Sequence, residues 1–388
     1  MPQTPMEPIY LDYNATTPCD LRVIERMLPF FAHIYGNPAN GLHLQGRLAA
    51  QAVDEARAQT AALINAQPGE IVFTGGATES NNLAILGLAR MADRNHRNRI
   101  VTCAIEHKAV LLPCKKLQGE GFETTVLPVD GLGHIALDAV REVVTDRTLL
   151  ISIQAANNEI GVIQPIEAIA DIAHEHGVIV HCDAAQAVGK LPVDVLNWGV
   201  DLLSLSAHKL YGPKGVGALF VRGGGRSMPI EPLCYGGGQE RDLRPGTTNV
   251  PAIVGLGEAC RLCAEELPRE AHELAQLRDL LEAQLLAAVP GLMINGDPDS
   301  RLPNTSSMVF PDVDADALLL NVPEVMLGTG SACTSGAVEP SHVLQAIGLD
   351  RKAAQGTVRA SLGRGLKLVE VERAAASLID GWKRLSRG

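Results

Sequence analysis

The chain has 388 residues, enough for two domains or for one large domain with a satellite, and 46% hydrophobic against 20% charged residues exclude a disordered chain. A formal net charge of -11 and only 3% aromatic residues leave neither a basic face for phosphate backbones nor stacking platforms for single strands, so nucleic acid is excluded as a standing partner. No apolar run approaches the roughly 18 residues of a membrane span, the opening residues lack a leader pattern, and eight cysteines at irregular spacing fit a reducing compartment, so a cytoplasmic, membrane-free protein is expected.

In chain order, residues 9–18 read as a short extended start and a turn, followed by a helix over 19–31, a loop over 36–41 and an Ala-rich helix over 44–64. Residues 70–82 join a strand, a glycine turn and a helix start. Gly75 and Gly76 let backbone approach a ligand closely, and the first amides of that helix, at Ala77 and Thr78, offer an anion seat, although the same residues also make an ordinary helix start. From 99 to 222 strand and helix alternate, which predicts a mostly parallel sheet covered on both faces. Three of its strands end on polar side chains: Glu106 with His107, Asn157 with Asn158 and Glu159, and Asp183 with Gln186.

The apolar run 202–206 stops where His208 and Lys209 meet a turn rich in glycine and proline. Ligands of open α/β sheets lie outside the carboxyl ends of the strands, and a lysine delivered there suggests a Schiff base. An aspartate beside a pyridinium nitrogen, together with a Schiff-base lysine, is the protein's part in pyridoxal 5'-phosphate (PLP) chemistry, and Asp183 ends a neighbouring run. Either residue alone reads better as a solvated loop lysine or a helix cap. The pair points to the cofactor.

Beyond residue 222, the polar, glycine-rich stretch 235–249 is too long for a simple connection. A helix over 253–289 then leads to strands near 292–294, 306–310 and 358–361 and helices at 315–320, 343–347 and from 369. Cys260-Arg-Leu-Cys263 lacks a second ligand pair and reads as buried helical cysteines rather than a metal or redox site. The loop 327–336 sets Cys333 among small residues, an exposed position that suits a thiolate attacking sulfur.

Leu11-Asp-Tyr-Asn-Ala-Thr-Thr-Pro18, Gly76-Ala-Thr-Glu-Ser-Asn-Asn82, Asp183-Ala-Ala-Gln186, Ser206-Ala-His-Lys209, Gly330-Ser-Ala-Cys-Thr-Ser335 and Arg359-Ala-Ser-Leu-Gly-Arg364 together resemble the cysteine desulfurases of the NifS/IscS type, over essentially the whole length. The resemblance implies an α/β chain of PLP fold-type I. Its large domain, 19–262, would hold a mostly parallel mixed seven-stranded sheet. A smaller α+β domain, 263–388, would carry a mobile cysteine loop at about 323–337, with an N-terminal segment, 1–18, packed against it.

By the same resemblance Lys209 would hold the cofactor and later move the substrate's α-proton, Asp183 would keep the ring nitrogen protonated, Gln186 would bond the phenolic oxygen, and His107 would stack on the ring and act in acid–base steps. Ala77, Thr78, Ser206 and His208 resemble the phosphate-binding set, and Thr247 the threonine lent across a homodimer interface. Arg359, with Asn158 and Asn14, would grip the substrate carboxylate. Cys333 would take sulfur from L-cysteine, release L-alanine and hand the sulfur to a scaffold of the IscU/NifU kind for iron–sulfur assembly. No resident metal follows, although Cys333 would ligate a cluster transiently with the scaffold. A selenocysteine lyase or another class V aminotransferase-like activity is the alternative. The sequence departs from the family pattern at Gly75 and at Gly328-Thr329, where serines are expected, and after Arg364, where Gly-Leu-Lys follows.

Overall fold

The computed structural model describes residues 8–225, 228–329 and 340–386. Seven strands rich in branched apolar residues form one sheet: β1 (Ile71–Thr74), β2 (Arg99–Cys103), β3 (Glu123–Leu127), β4 (Thr148–Gln154), β5 (Ile179–Asp183), β6 (Leu202–Ser206) and β7 (Gly217–Val221). Their order is β1-β7-β6-β5-β4-β2-β3, and every pairing is parallel except those of β7 with β1 and β6. The expected mostly parallel, mixed seven-stranded sheet is therefore what forms. Central strands β4, β6 and β7 are buried along their whole length, as strands covered on both faces must be.

Parallel pairing aligns the carboxyl ends of the central strands. Gln154 lies opposite Asp183, and Asp183 opposite Ser204, so β4, β5 and β6 all release their chains at one edge. Among the helices, α1 (Leu44–Leu63) lies against α3 (Val250–Ala288), and α2 (Ala77–Met91) leaves the end of β1.

A second sheet runs antiparallel throughout, in the order Gly328–Thr329, Thr357–Ser361, Thr305–Val309, Met293–Asn295. Ile9–Tyr10 pairs in parallel with Val325–Met326, and Ile9 and Leu11 sit in the same apolar core as this second sheet. The 39 residues of α3 run unbroken past position 262, with Pro268 inside the helix. Its first half, to Cys263, packs into the core of the large sheet, and from Leu274 it packs into the other core. The two-residue strands at 325–326 and 328–329 and the short helix Arg351–Gln355 carry no periodicity that a sequence reading can detect.

One polar rung crosses the buried sheet. His181 on β5 meets Ser152 Oγ on β4 through Nδ1 at 2.8 Å and Ser204 Oγ on β6 through Nε2 at 3.0 Å. Burial holds its imidazole down at about 3, below its ordinary 6.5. Between those values the unfolded chain binds a proton that the folded chain refuses, so stability falls as the pH drops through this window, by up to about 1.4 kcal/mol per pH unit. In urea melts from pH 6.5 to 4, His181→Gln is expected to lose that part of the slope; an unchanged slope would show that the ring titrates normally in the fold.

Candidate active site

A cavity of about 730 Å³ opens at the carboxyl ends of β4, β5 and β6. Of the residues expected in a site, Asn14, Ala77, Thr78, His107, Asn158, Asp183, Gln186, Ser206, His208, Lys209 and Arg359 all line it. Thr247 is exposed and does not line this cavity. Cys333 lies outside the described residues.

Lys209 follows β6 in a single 3-10 turn, Ala207–Lys209, which fixes where its amine enters. Nζ donates to the backbone oxygens of Asn14 at 2.5 Å and Ala15 at 2.8 Å. Burial, and then the nearby Arg359 guanidinium, lower its pKa to about 8 against the pull of Asp12 and Asp183. Near neutral pH a useful fraction of this amine is therefore free of its proton. Asp183 ends β5 with both carboxylate oxygens held: Oδ2 accepts from Asn81 Nδ2 at 2.6 Å and Oδ1 from the Ala185 amide at 3.0 Å.

His107 caps the helix Lys108–Gly119, its Nδ1 accepting from the Ala109 amide at 3.0 Å, which makes Nε2 the nitrogen that carries the hydrogen when the ring is neutral. Desolvation by the packing around it holds this imidazole below its ordinary value. His208 Nδ1 meets Thr16 Oγ1 at 3.1 Å, and burial with the neighbouring lysines lowers it to about 4. Both rings are neutral at physiological pH.

Other strand-end residues are structural. Glu106 is fully buried, braces the Gln154 amide at 2.8 Å and is pushed well above the usual carboxylate range by burial. Asn157 bridges the Ile105 carbonyl and the amides of Glu159 and Ile160, while Glu159 turns away to Ser341. Cys260 and Cys263 are buried in α3, where desolvation pushes both thiols up.

α2 begins at Gly76 with φ 139°, a backbone conformation that side chains rarely tolerate, and no side chain among the described residues caps its first turn. The cavity thus receives uncapped amides next to Thr78, Ser206 and His208. Gly75, placed where the family pattern has a serine, leaves room for Glu79: a Cβ there would lie 2.6 Å from Glu79 Oε2. An uncapped helix end, a held carboxylate and a part-deprotonated amine around one cavity fit a small molecule bearing an anionic group, a protonated ring nitrogen and a carbonyl.

Arg359 Nη1 donates to the Asn158 carbonyl at 3.0 Å, Nη2 pairs with Asp12 Oδ1, and buried Nε has no hydrogen-bond partner among the described residues. The guanidinium is thus already shared with a carboxylate that the sequence reading did not single out. Gly328 makes this possible, since a Cβ there would lie 2.8 Å from Arg359 Nη2 and 3.0 Å from Asp12 Oδ1. Asn81 was also missed, although it sits one helical turn after Thr78 on the same face, a spacing that was available to reading. Arg364 serves the fold: it binds Asp20 and Glu270 and stacks over Tyr211.

The class-V aminotransferase family model matches residues 9–373. The cysteine desulfurase IscS of Ehrlichia chaffeensis is 42% identical over 378 residues, covering 97% of this chain and 92% of its own. Among solved structures, a NifS-like protein superposes with a TM-score of 0.90 at 38% identity, covering 98% of this chain and 100% of that one. SspA in complex with cysteine gives 0.80 at 40% identity, covering 91% and 98%. The chain belongs to the class-V aminotransferase family, and within it to the enzymes of the cysteine desulfurase group.

Proposed function

We propose that this enzyme uses PLP to convert L-cysteine to L-alanine, passing the sulfur first to Cys333 and then to an acceptor protein for iron–sulfur assembly, and that it works as a cytoplasmic homodimer. The observation that carries the reading is the delivery of Lys209 and Asp183, from the ends of adjacent parallel strands, into one cavity. The cysteine held by the related SspA structure supports the substrate.

PLP, when bound, supplies a carbonyl for amines and a ring that accepts the electrons released at the substrate's α-carbon. Ala77 and Thr78 at the uncapped start of α2, with Ser206 and His208, would hold its phosphate, and Thr247 would join them from the partner subunit. Asp183, its own oxygens fixed by Asn81 and Ala185, would keep a proton on the ring nitrogen. Gln186 would donate a hydrogen bond to the ring's phenolic oxygen, and neutral His107 would pack on the ring and move protons. Lys209 Nζ takes and returns the α-proton. Arg359, with Asn158 and Asn14, orients the substrate carboxylate, which binds by displacing part of the Asp12 pairing. Cys333 as thiolate would take the sulfur: the new S–S bond forms as the substrate's Cβ–S bond breaks, the bonding pair stays with the carbon, which takes up a proton on the way to L-alanine, and the sulfur remains on Cys333 as a persulfide.

Lys209→Ala is expected to abolish covalent retention of PLP and to lower alanine production at least about a hundredfold; near-normal turnover would sink the assignment. Cys333→Ser is expected to bind PLP and L-cysteine with unchanged visible spectra yet form no persulfide, as mass spectrometry of the protein would show, and sulfide release at the wild-type rate would place the nucleophile elsewhere. Because an amine attacks only when deprotonated, PLP uptake by the cofactor-free protein should accelerate as the pH rises through about 8 and then level off. A rate still climbing at pH 10 would mean that Lys209 titrates like a solvated lysine.

A further inference from the structure

Lys190 is a second amine behind the site, only 8% exposed. Its Nζ donates to Gln186 Oε1 at 2.5 Å and to Asn14 Oδ1 at 3.0 Å, and no carboxylate among the described residues pairs with it. A buried ammonium without a counter-ion is costly, whereas a neutral amine brings two N–H groups to the two oxygens it faces. Burial, reinforced by Lys209 and Arg359, holds it well below the lysine range.

An amide side chain is nearly symmetric in shape and opposite in chemistry at its two ends, so its direction is decided by its neighbours. With Oε1 tied to Lys190, Gln186 must turn Nε2 the other way, where it donates to the Asn14 carbonyl at 3.0 Å, the same oxygen that receives Lys209 Nζ. With Oδ1 tied to Lys190 and to Asn304, Asn14 likewise turns Nδ2 toward Thr305 Oγ1 at 2.8 Å and the Asn158 carbonyl at 3.2 Å. Without Lys190, Gln186 loses the one donor that the described residues give its oxygen, and that oxygen is free to swing toward Lys209.

We propose that Lys190 is a positioning residue for this site: it sets the direction of the Gln186 and Asn14 amides, so that the cavity meets the N–H end of Gln186 and the Lys209 amine meets backbone carbonyls rather than a side-chain oxygen. The consequence for PLP binding rests on the function proposed above; the consequence for Lys209 does not.

The test is a double-mutant cycle on the full chain with Lys190→Met, Gln186→Ala and both, each first checked for folding by thermal unfolding. Two readings are taken on the cofactor-free proteins: PLP affinity by equilibrium dialysis, and the pH midpoint for reductive methylation of Lys209 by formaldehyde and cyanoborohydride, followed by mass spectrometry. Lys190→Met should weaken PLP about tenfold, as expected for a buried acceptor left without its donor, and should add less than about twofold once Gln186 is alanine. The Lys209 midpoint should rise in Lys190→Met and stay put when Gln186 is alanine. Losses that multiply, or a midpoint that ignores Lys190 or shifts equally in both backgrounds, would overturn the proposal. If Lys190→Met does not fold, Lys190→Gln enters the same cycle with the same criteria. Wild-type protein that binds no PLP would sink the cofactor reading, while the methylation arm still decides the role of Lys190.

Discussion

The backbone and side chain of Asn14 form the junction on which the site depends. Its amide donates to Ser361 Oγ and its side chain to Thr305 Oγ1, both in the four-stranded sheet, while its carbonyl receives Gln186 and Lys209 from the large sheet. Hydrogen bonds reach it from residues 172 and 347 positions away in sequence, so no local segment can form this part of the site alone. An N-terminal stretch whose described part contributes a two-residue strand nevertheless lines the cavity with Asn14, Ala15 and Thr16.

Burial does most of the electrostatic work around that junction. It lowers the affinity of Lys209, Lys190, His107 and His208 for protons and raises that of Glu106. The result is a site in which the two histidines are neutral near neutral pH and part of the Lys209 population is free of its proton, with Asp183, Glu79, Lys214 and Arg359 also at the cavity wall. An enzyme that must form and break carbon–nitrogen bonds to an amine benefits from this arrangement, because a permanently protonated lysine has no lone pair to offer.

Much of this was legible in the sequence because strand alternation and strand-end chemistry are local signals. The run 202–206 followed by Lys209, and the run ending at Asp183, announced both a parallel sheet and its business edge. What could not be read were features that exist only across the fold. Lys190 sits in an unremarkable Val-Gly-Lys-Leu stretch, and its role follows from facing two amide oxygens brought from positions 14 and 186. Asp12 likewise becomes meaningful only once Arg359 and the bare backbone of Gly328 lie beside it. That a single helix serves both cores is a further feature of this kind, since its first half packs in one and its residues from Leu274 in the other.

That helix, α3, is 39 residues and about 58 Å long at the usual rise per residue. It is a beam fixed at one end in the large core and at the other in the small one, so relative rotation of the two sheets has to bend it. Pro268 stands between the two anchorages, lacks an amide hydrogen and leaves one rung of the helical ladder open. The open rung is the point at which the beam bends most easily, and its neighbours Leu267 and Glu270 line a small pocket together with Lys190 and Lys209, so the softest place in the helix lies against the two lysines of the site.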